Sequence, residues 1–263
     1  MNNIKKGLIG LSILTLSSFP ISYSAENVII KDPVKYKEEI KEINKAFPLD
    51  IGDYWLYNQT EENYSNNLDK HKIREENPAL KSSYEILDFV EETLIREGYK
   101  IARITQDTGL ENNLLDKEFY LVVEYKTGNI YKFSIDLEDS SNKTETIENL
   151  IKNDLKKPIV EREYLTDSNT EYIFPLNPKN KWGFLGEKDD SGMYCWIIFE
   201  EKEGIEVPAG KFDNSTSIIL RTGPDHTIKH LVPGIGLVSE EYSHHGTPIE
   251  RKKELIKTNL PRK

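Results

Sequence analysis

The chain has 263 residues, with 35 Lys+Arg against 45 Asp+Glu and a formal net charge of −10. That acidic balance excludes a sequence-independent nucleic-acid binder, which needs a basic surface to meet phosphates. A single cysteine excludes an intramolecular disulfide framework and any multi-thiolate metal site, and the length suffices to bury a core without either. Hydrophobic residues make up only 37%, yet 10% aromatics argues against a disordered chain.

The N-terminus has the layout of a secretory signal peptide. Lys5 and Lys6 form a positive start, Gly7 to Leu16 is an uncharged and mostly apolar run, and Pro20 breaks it. Small residues at Ser22, Ser24 and Ala25 place cleavage near Ser24/Ala25, and the apolar core is short for a membrane span. Removing residues 1–25, which carry two Lys and no acid, leaves a charge of −12. The expected location is therefore exported, periplasmic or secreted, with no membrane-spanning segment after cleavage. Residues 26–46 read as a polar lead-in and a short amphipathic helix over 33–45. Asp32 is suited to cap it, and Pro33 suits its first turn.

From residue 47 onward the pattern is mostly β. Phe119–Tyr125 and Ile130–Leu137 are rich in β-branched and aromatic residues, and Thr127-Gly128-Asn129 between them is a turn signal, which predicts a hairpin. Further strands are expected at Asp53–Gln59, Ile159–Leu165, Glu171–Phe174, Tyr194–Glu200, Ser215–Arg221, Thr227–Leu231, Gly236–Tyr242 and Ile249–Ile256. Val207-Pro208-Ala209-Gly210 reads as a turn between two strands, and Pro233-Gly234-Ile235-Gly236 bends the chain before another. Thr144–Leu155 has helical spacing in Ile147, Leu150, Ile151 and Leu155. For Ser82–Ile95 the period favours a helix, with a strand turning at Arg96-Glu97-Gly98 as the alternative. Residues 61–81 and 107–117 read as exposed loops. Cys195 lies in an apolar strand-like run and is expected to be buried and inert.

One internal echo stands out. Phe47-Pro48-Leu49 is followed by Trp55 and Tyr57, and Phe174-Pro175-Leu176 is followed at the same spacing by Trp182 and Phe184. In each copy an aromatic pair two apart shares one strand face. The echo divides a single β domain, 47–263, into two related halves, 47–173 and 174–263. The bland reading makes these residues core anchors. The sharper one makes Trp55, Tyr57, Trp182 and Phe184, with Trp196, the lining of a ligand cavity.

The ordered landmarks Phe47-Pro48-Leu49…Gly52…Trp55…Tyr57, Val207-Pro208-Ala209-Gly210…Phe212 and Pro233-Gly234-Ile235-Gly236…Val238 resemble a group of uncharacterised exported bacterial proteins. That group is similar to the DUF3108 and LolA-like proteins. The resemblance implies a mainly β fold: a strongly curved antiparallel sheet, a half-barrel wrapping a helix or an apolar cavity, with one or two short helices. It also implies that Ser82–Gln106 is a β-hairpin, against the local period. It supplies no catalytic residues.

No nucleophile elbow, zinc-protease helix, phosphate loop or calcium loop occurs in the sequence. Gly234-Ile235-Gly236 lacks the third glycine and following helix of a phosphate loop, and Asp189-Asp190-Ser191-Gly192 reads as a turn. A zinc site from His230, Glu241 and His244 would have to be assembled across strands, and nothing in their spacing requires it. The expectation is a monomeric, non-enzymatic binding or structural protein of the cell envelope with no cofactor or metal. It would hold a lipid or acyl chain, or dock a lipoprotein or envelope protein, on its curved sheet. The alternatives are a hydrolase of envelope polymers using paired carboxylates and a protein-interaction module with a filled core.

Overall fold

A computed structural model describes residues 33–63, 80–109, 117–135, 143–183, 192–244 and 249–261. The signal segment, Asp32, Phe184, Asp189–Ser191, His245 and most of the two expected loops lie outside these residues. The elements in chain order are α1 (Pro33–Ala46), β1 (Tyr54–Asn63), β2 (Leu80–Ile95), β3 (Tyr99–Asp107), β4 (Lys117–Glu124), β5 (Asn129–Phe133), α2 (Lys143–Leu155) and β6 (Thr170–Ile173). There follow β7 (Lys181–Trp182), β8 (Cys195–Val207), β9 (Gly210–Arg221), β10 (Asp225–Val232), β11 (Gly236–His244) and β12 (Ile249–Thr258).

All twelve strands join one antiparallel sheet in the order β6-β5-β4-β3-β2-β1-β12-β11-β10-β9-β8-β7. It consists of two six-stranded meanders, β1–β6 and β7–β12, stitched together where β1 pairs with β12. The sheet curls into a nearly closed barrel-like wall whose one seam lies between the edge strands β6 and β7. The curved antiparallel fold expected from sequence is thus present. Leu80–Ile95 and Tyr99–Asp107 pair as a hairpin, so tertiary pairing overrides the helical period there.

The inner face holds a continuous core contributed by both meanders, including Trp55, Tyr57, Ile104, Leu121, Tyr172, Ile218 and Leu255. Helix α1 closes one end of the barrel through Ile40 and Ile43. Its C-terminal carbonyl is tied to the sheet, because the Gly234 N–H donates to Ala46 O at 2.9 Å. The Pro208-Ala209 hairpin tip reaches across to β12, where the Ala209 N–H donates to Leu255 O at 2.8 Å. A second core lies outside the barrel. There α2 lays Ile147 and Ile151 on Ile101, Tyr120, Val122 and Tyr131. This explains why β3–β5 are apolar on both faces rather than alternating.

Two expectations are corrected. Ile159–Leu165 is not a strand: it opens with a 3-10 turn, Ile159–Glu161. The Asp154 carboxylate, at the end of α2, accepts the N–H groups of Glu163 (3.1 Å), Tyr164 (2.6 Å) and Leu165 (3.0 Å). Those donors go to a side chain instead of a neighbouring strand, and Leu165 is then buried under α2. The second correction concerns the loops. Glu61–Asn63 and Leu80-Lys81 belong to β1 and β2, which pair out to Asn63↔Leu80. Cys195 is fully buried, as its apolar run predicts.

Candidate functional site

The sequence-predicted aromatics divide between two places. Trp55 and Tyr57 point inward from β1. The Trp55 indole N–H donates to Ile235 O at 2.6 Å and the Tyr57 hydroxyl to Leu237 O at 3.0 Å, which fixes both rings. Trp182 and Trp196 stack at the seam, with centroids 6.4 Å apart and planes at 20°. The Trp182 indole N–H crosses the seam to Thr170 O at 3.1 Å. Phe184 lies outside the described residues.

Trp55 and Tyr57 line an interior cavity of about 300 Å3, together with apolar Leu49, Ile86 and Leu121. The same cavity is girdled by charge. Its lining holds Asp88 (β2), Arg251 and Lys253 (β12), Glu240 (β11), Glu171 (β6) and Lys132 (β5), and Lys229 (β10) stands beside Glu171 and Glu240. Lys253 reaches Asp88 at 3.1 Å, while Lys229 reaches Glu171 at 2.5 Å and Glu240 at 3.8 Å. Each ammonium also rests on an aromatic face: Lys253 lies 4.0 Å from the Tyr57 centroid, Lys132 4.3 Å from Phe119 and Lys229 4.5 Å from Trp196.

Glu171 enters this ring through a bulge. Ile130 pairs with Tyr172 and Tyr131 with Thr170, so Glu171 is the extra residue, and it reaches the cavity beside Tyr172. Burial would raise its carboxyl, but the Lys229 and Lys132 ammoniums outweigh that and hold it down at about 2. Burial likewise opposes the Lys229 charge, and Glu171 and Glu240 outweigh it and raise that ammonium above its ordinary value. These groups are therefore held ionised.

A second space is apolar. A groove of about 560 Å3 opens at the α1 end of the barrel. It is walled by Ile43 and Ala46 of α1, Tyr125 of the β4–β5 turn, Phe174-Pro175-Leu176 and Pro233. Glu42 and Lys126 stand among these apolar walls. Its volume lies within the roughly 300–1,000 Å3 of small-molecule sites. One wall depends on Gly128. The Gly128 backbone lies directly against Phe174, whose N–H donates to Gly128 O at 2.9 Å. A Cβ at Gly128 would stand 2.1 Å from Phe174 O, and its φ is +74°.

Sequence reasoning missed both the charged girdle and the groove. The second Phe-Pro-Leu copy was the available signal for the groove, because Phe174, Pro175 and Leu176 line it directly. The histidines assemble nothing comparable. His230 Nδ1 meets Ser217 Oγ at 3.2 Å, and His244 stands 3.7 Å from Asp225. Among the described residues no group of three metal-ligating side chains occurs. No helix among them is long and apolar enough to cross a membrane.

No protein-family model and no curated protein matches the chain. Among solved structures, it is similar to a Bacteroides fragilis protein described as exported and of YmcC-like fold. That match has 13% identity and a TM-score of 0.39 and covers 81% of this chain and 98% of that one. A lipoprotein from Parabacteroides distasonis matches at 14% identity and a TM-score of 0.37, over 81% and 97% of the two chains. A Vibrio parahaemolyticus outer membrane lipoprotein-sorting protein domain matches at 6% identity and a TM-score of 0.27, over 85% and 91%. With identities of 14% or less, none of these similarities transfers a function to this chain.

Proposed function

We propose that this chain is an exported, non-enzymatic binding protein of the cell envelope that holds an acyl chain of a lipid or lipoprotein in the groove beneath α1. The carrying observation is the groove itself: about 560 Å3, walled mainly by apolar side chains, beside α1. Export is supported by the signal-like pattern of residues 1–25. The concave interior, where Trp55 and Tyr57 sit, suits an acyl chain less well. Threading hydrocarbon past the charged side chains that line it would strip them of partners or water.

The hydrolase alternative meets a specific obstacle. The carboxylates gathered in one cavity are paired with lysines, and Glu171 is held at about 2. A general acid needs a carboxyl raised toward the working pH, which is the opposite perturbation. The echo of Trp55 and Trp182, at the first strand of each six-stranded meander, supports two related halves meeting at β1–β12.

Ala46→Phe places a ring in the groove from a residue outside the barrel core. A dansyl-labelled fatty acid is expected to bind the wild-type chain saturably and to bind this variant at least tenfold more weakly. Absence of saturable binding to the wild type sinks the proposal, and equal binding to both removes the groove from it.

A further inference from the structure

The interior cavity carries more charge than packing requires. Six charged side chains from five strands line a space of about 300 Å3, and Lys229 stands beside two of them. Buried ion pairs are weak stabilisers compared with well-packed apolar residues, so such a ring is not explained by stability alone. The pairing within it is also uneven. Asp88 and Lys253 match each other at 3.1 Å, and Glu171 is taken up by Lys229 at 2.5 Å. Two charges lack a close counter-ion, one of them on the exposed Lys132. Among the described residues Lys132 has no carboxylate within salt-bridge distance and is steadied by the Phe119 ring at 4.3 Å. Among the described residues Glu240 has a single ion pair, a long one of 3.8 Å to Lys229. Both line the same cavity, and Leu121, Tyr172 and Leu237 supply apolar surface there.

We propose that this cavity is a second binding site, separate from the groove, for a small zwitterion bearing one carboxylate and one ammonium, of the class of a free amino acid. Lys132 receives the carboxylate, Glu240 the ammonium, and the apolar body lies against Leu121, Tyr172 and Leu237. The charged lining is balanced, with Lys132, Arg251 and Lys253 against Asp88, Glu171 and Glu240. A ligand of either sign alone would leave it unbalanced, whereas a zwitterion preserves neutrality.

Calorimetric titration of the full chain with three probes sharing one body tests this: L-phenylalanine, 3-phenylpropionate and 2-phenylethylamine. Phenylalanine is expected to bind at least tenfold tighter than either singly charged analogue. Lys132→Met should reduce its affinity to that of phenylethylamine, and Glu240→Gln to that of phenylpropionate. The wild-type ranking decides the matter if a variant fails to fold. No saturable heat with phenylalanine, equal affinities for the three probes, or a folded Lys132→Met with unchanged affinity each overturns the proposal. None of these outcomes bears on fatty-acid binding in the groove.

Discussion

At the scale of single residues, Gly128 shows how one position serves turn and site together. Its positive φ favours glycine, and its missing Cβ lets Phe174 approach. Gly128→Ala is expected to cost about 3 kcal/mol or more in urea unfolding, because strain and a backbone clash combine. Gly234 is the comparison, with φ +83° but its nearest atom 3.6 Å from a built Cβ. Gly234→Ala should cost only about 1 kcal/mol, the strain alone. Glu171 makes a pH prediction. Its carboxyl is lowered from 4.5 to about 2, so the stability it contributes is present above 4.5 and lost as pH falls through about 2. The loss is on the order of 3 kcal/mol. In Glu171→Gln, acid unfolding curves should be flatter over that window and the protein less stable at neutral pH, since Lys229 loses its closest partner. The period-two pattern made Trp55 and Tyr57 legible as inward residues. The girdle was not legible, because Glu171 turns inward only through a bulge whose register depends on β5.

At the scale of elements, both helices were readable from their 3.6-residue spacing, and the β4–β5 and β8–β9 turns from their glycines and proline. What misled the reading was long-range bonding. Ile159–Leu165 looks like a strand, yet the Asp154 side chain, almost fully buried, collects its N–H groups. Ser82–Ile95 has a period that favours a helix, yet it forms the hairpin strand that the resemblance implies, with strands on both sides. Asp154→Ala should therefore leave three backbone donors without their acceptor and lower stability by on the order of 3 kcal/mol. Amide exchange should speed up locally at Glu163, Tyr164 and Leu165 before global unfolding. Unchanged exchange at those three positions would show that the carboxylate does not hold the segment.

For the whole molecule, two six-stranded meanders share one inner core and meet along β1–β12, while β6 and β7 leave a seam bridged by Trp182 and by the Lys229–Glu171 pair. The curved sheet was legible from strand spacing and from the ordered landmarks. The location of apolar space was not, since it arises where α1, the 125–128 turn and Phe174–Leu176 converge from three distant parts of the chain. Barrel curvature thus separates two environments: a charge-ringed interior and an apolar groove at one end. The claim that this groove holds an acyl chain is tested most directly by native mass spectrometry of gently purified protein, followed by lipid extraction. The account predicts an added mass that dissociates as an acyl lipid and is absent from Ala46→Phe. A wild-type protein with only its bare chain mass would contradict it.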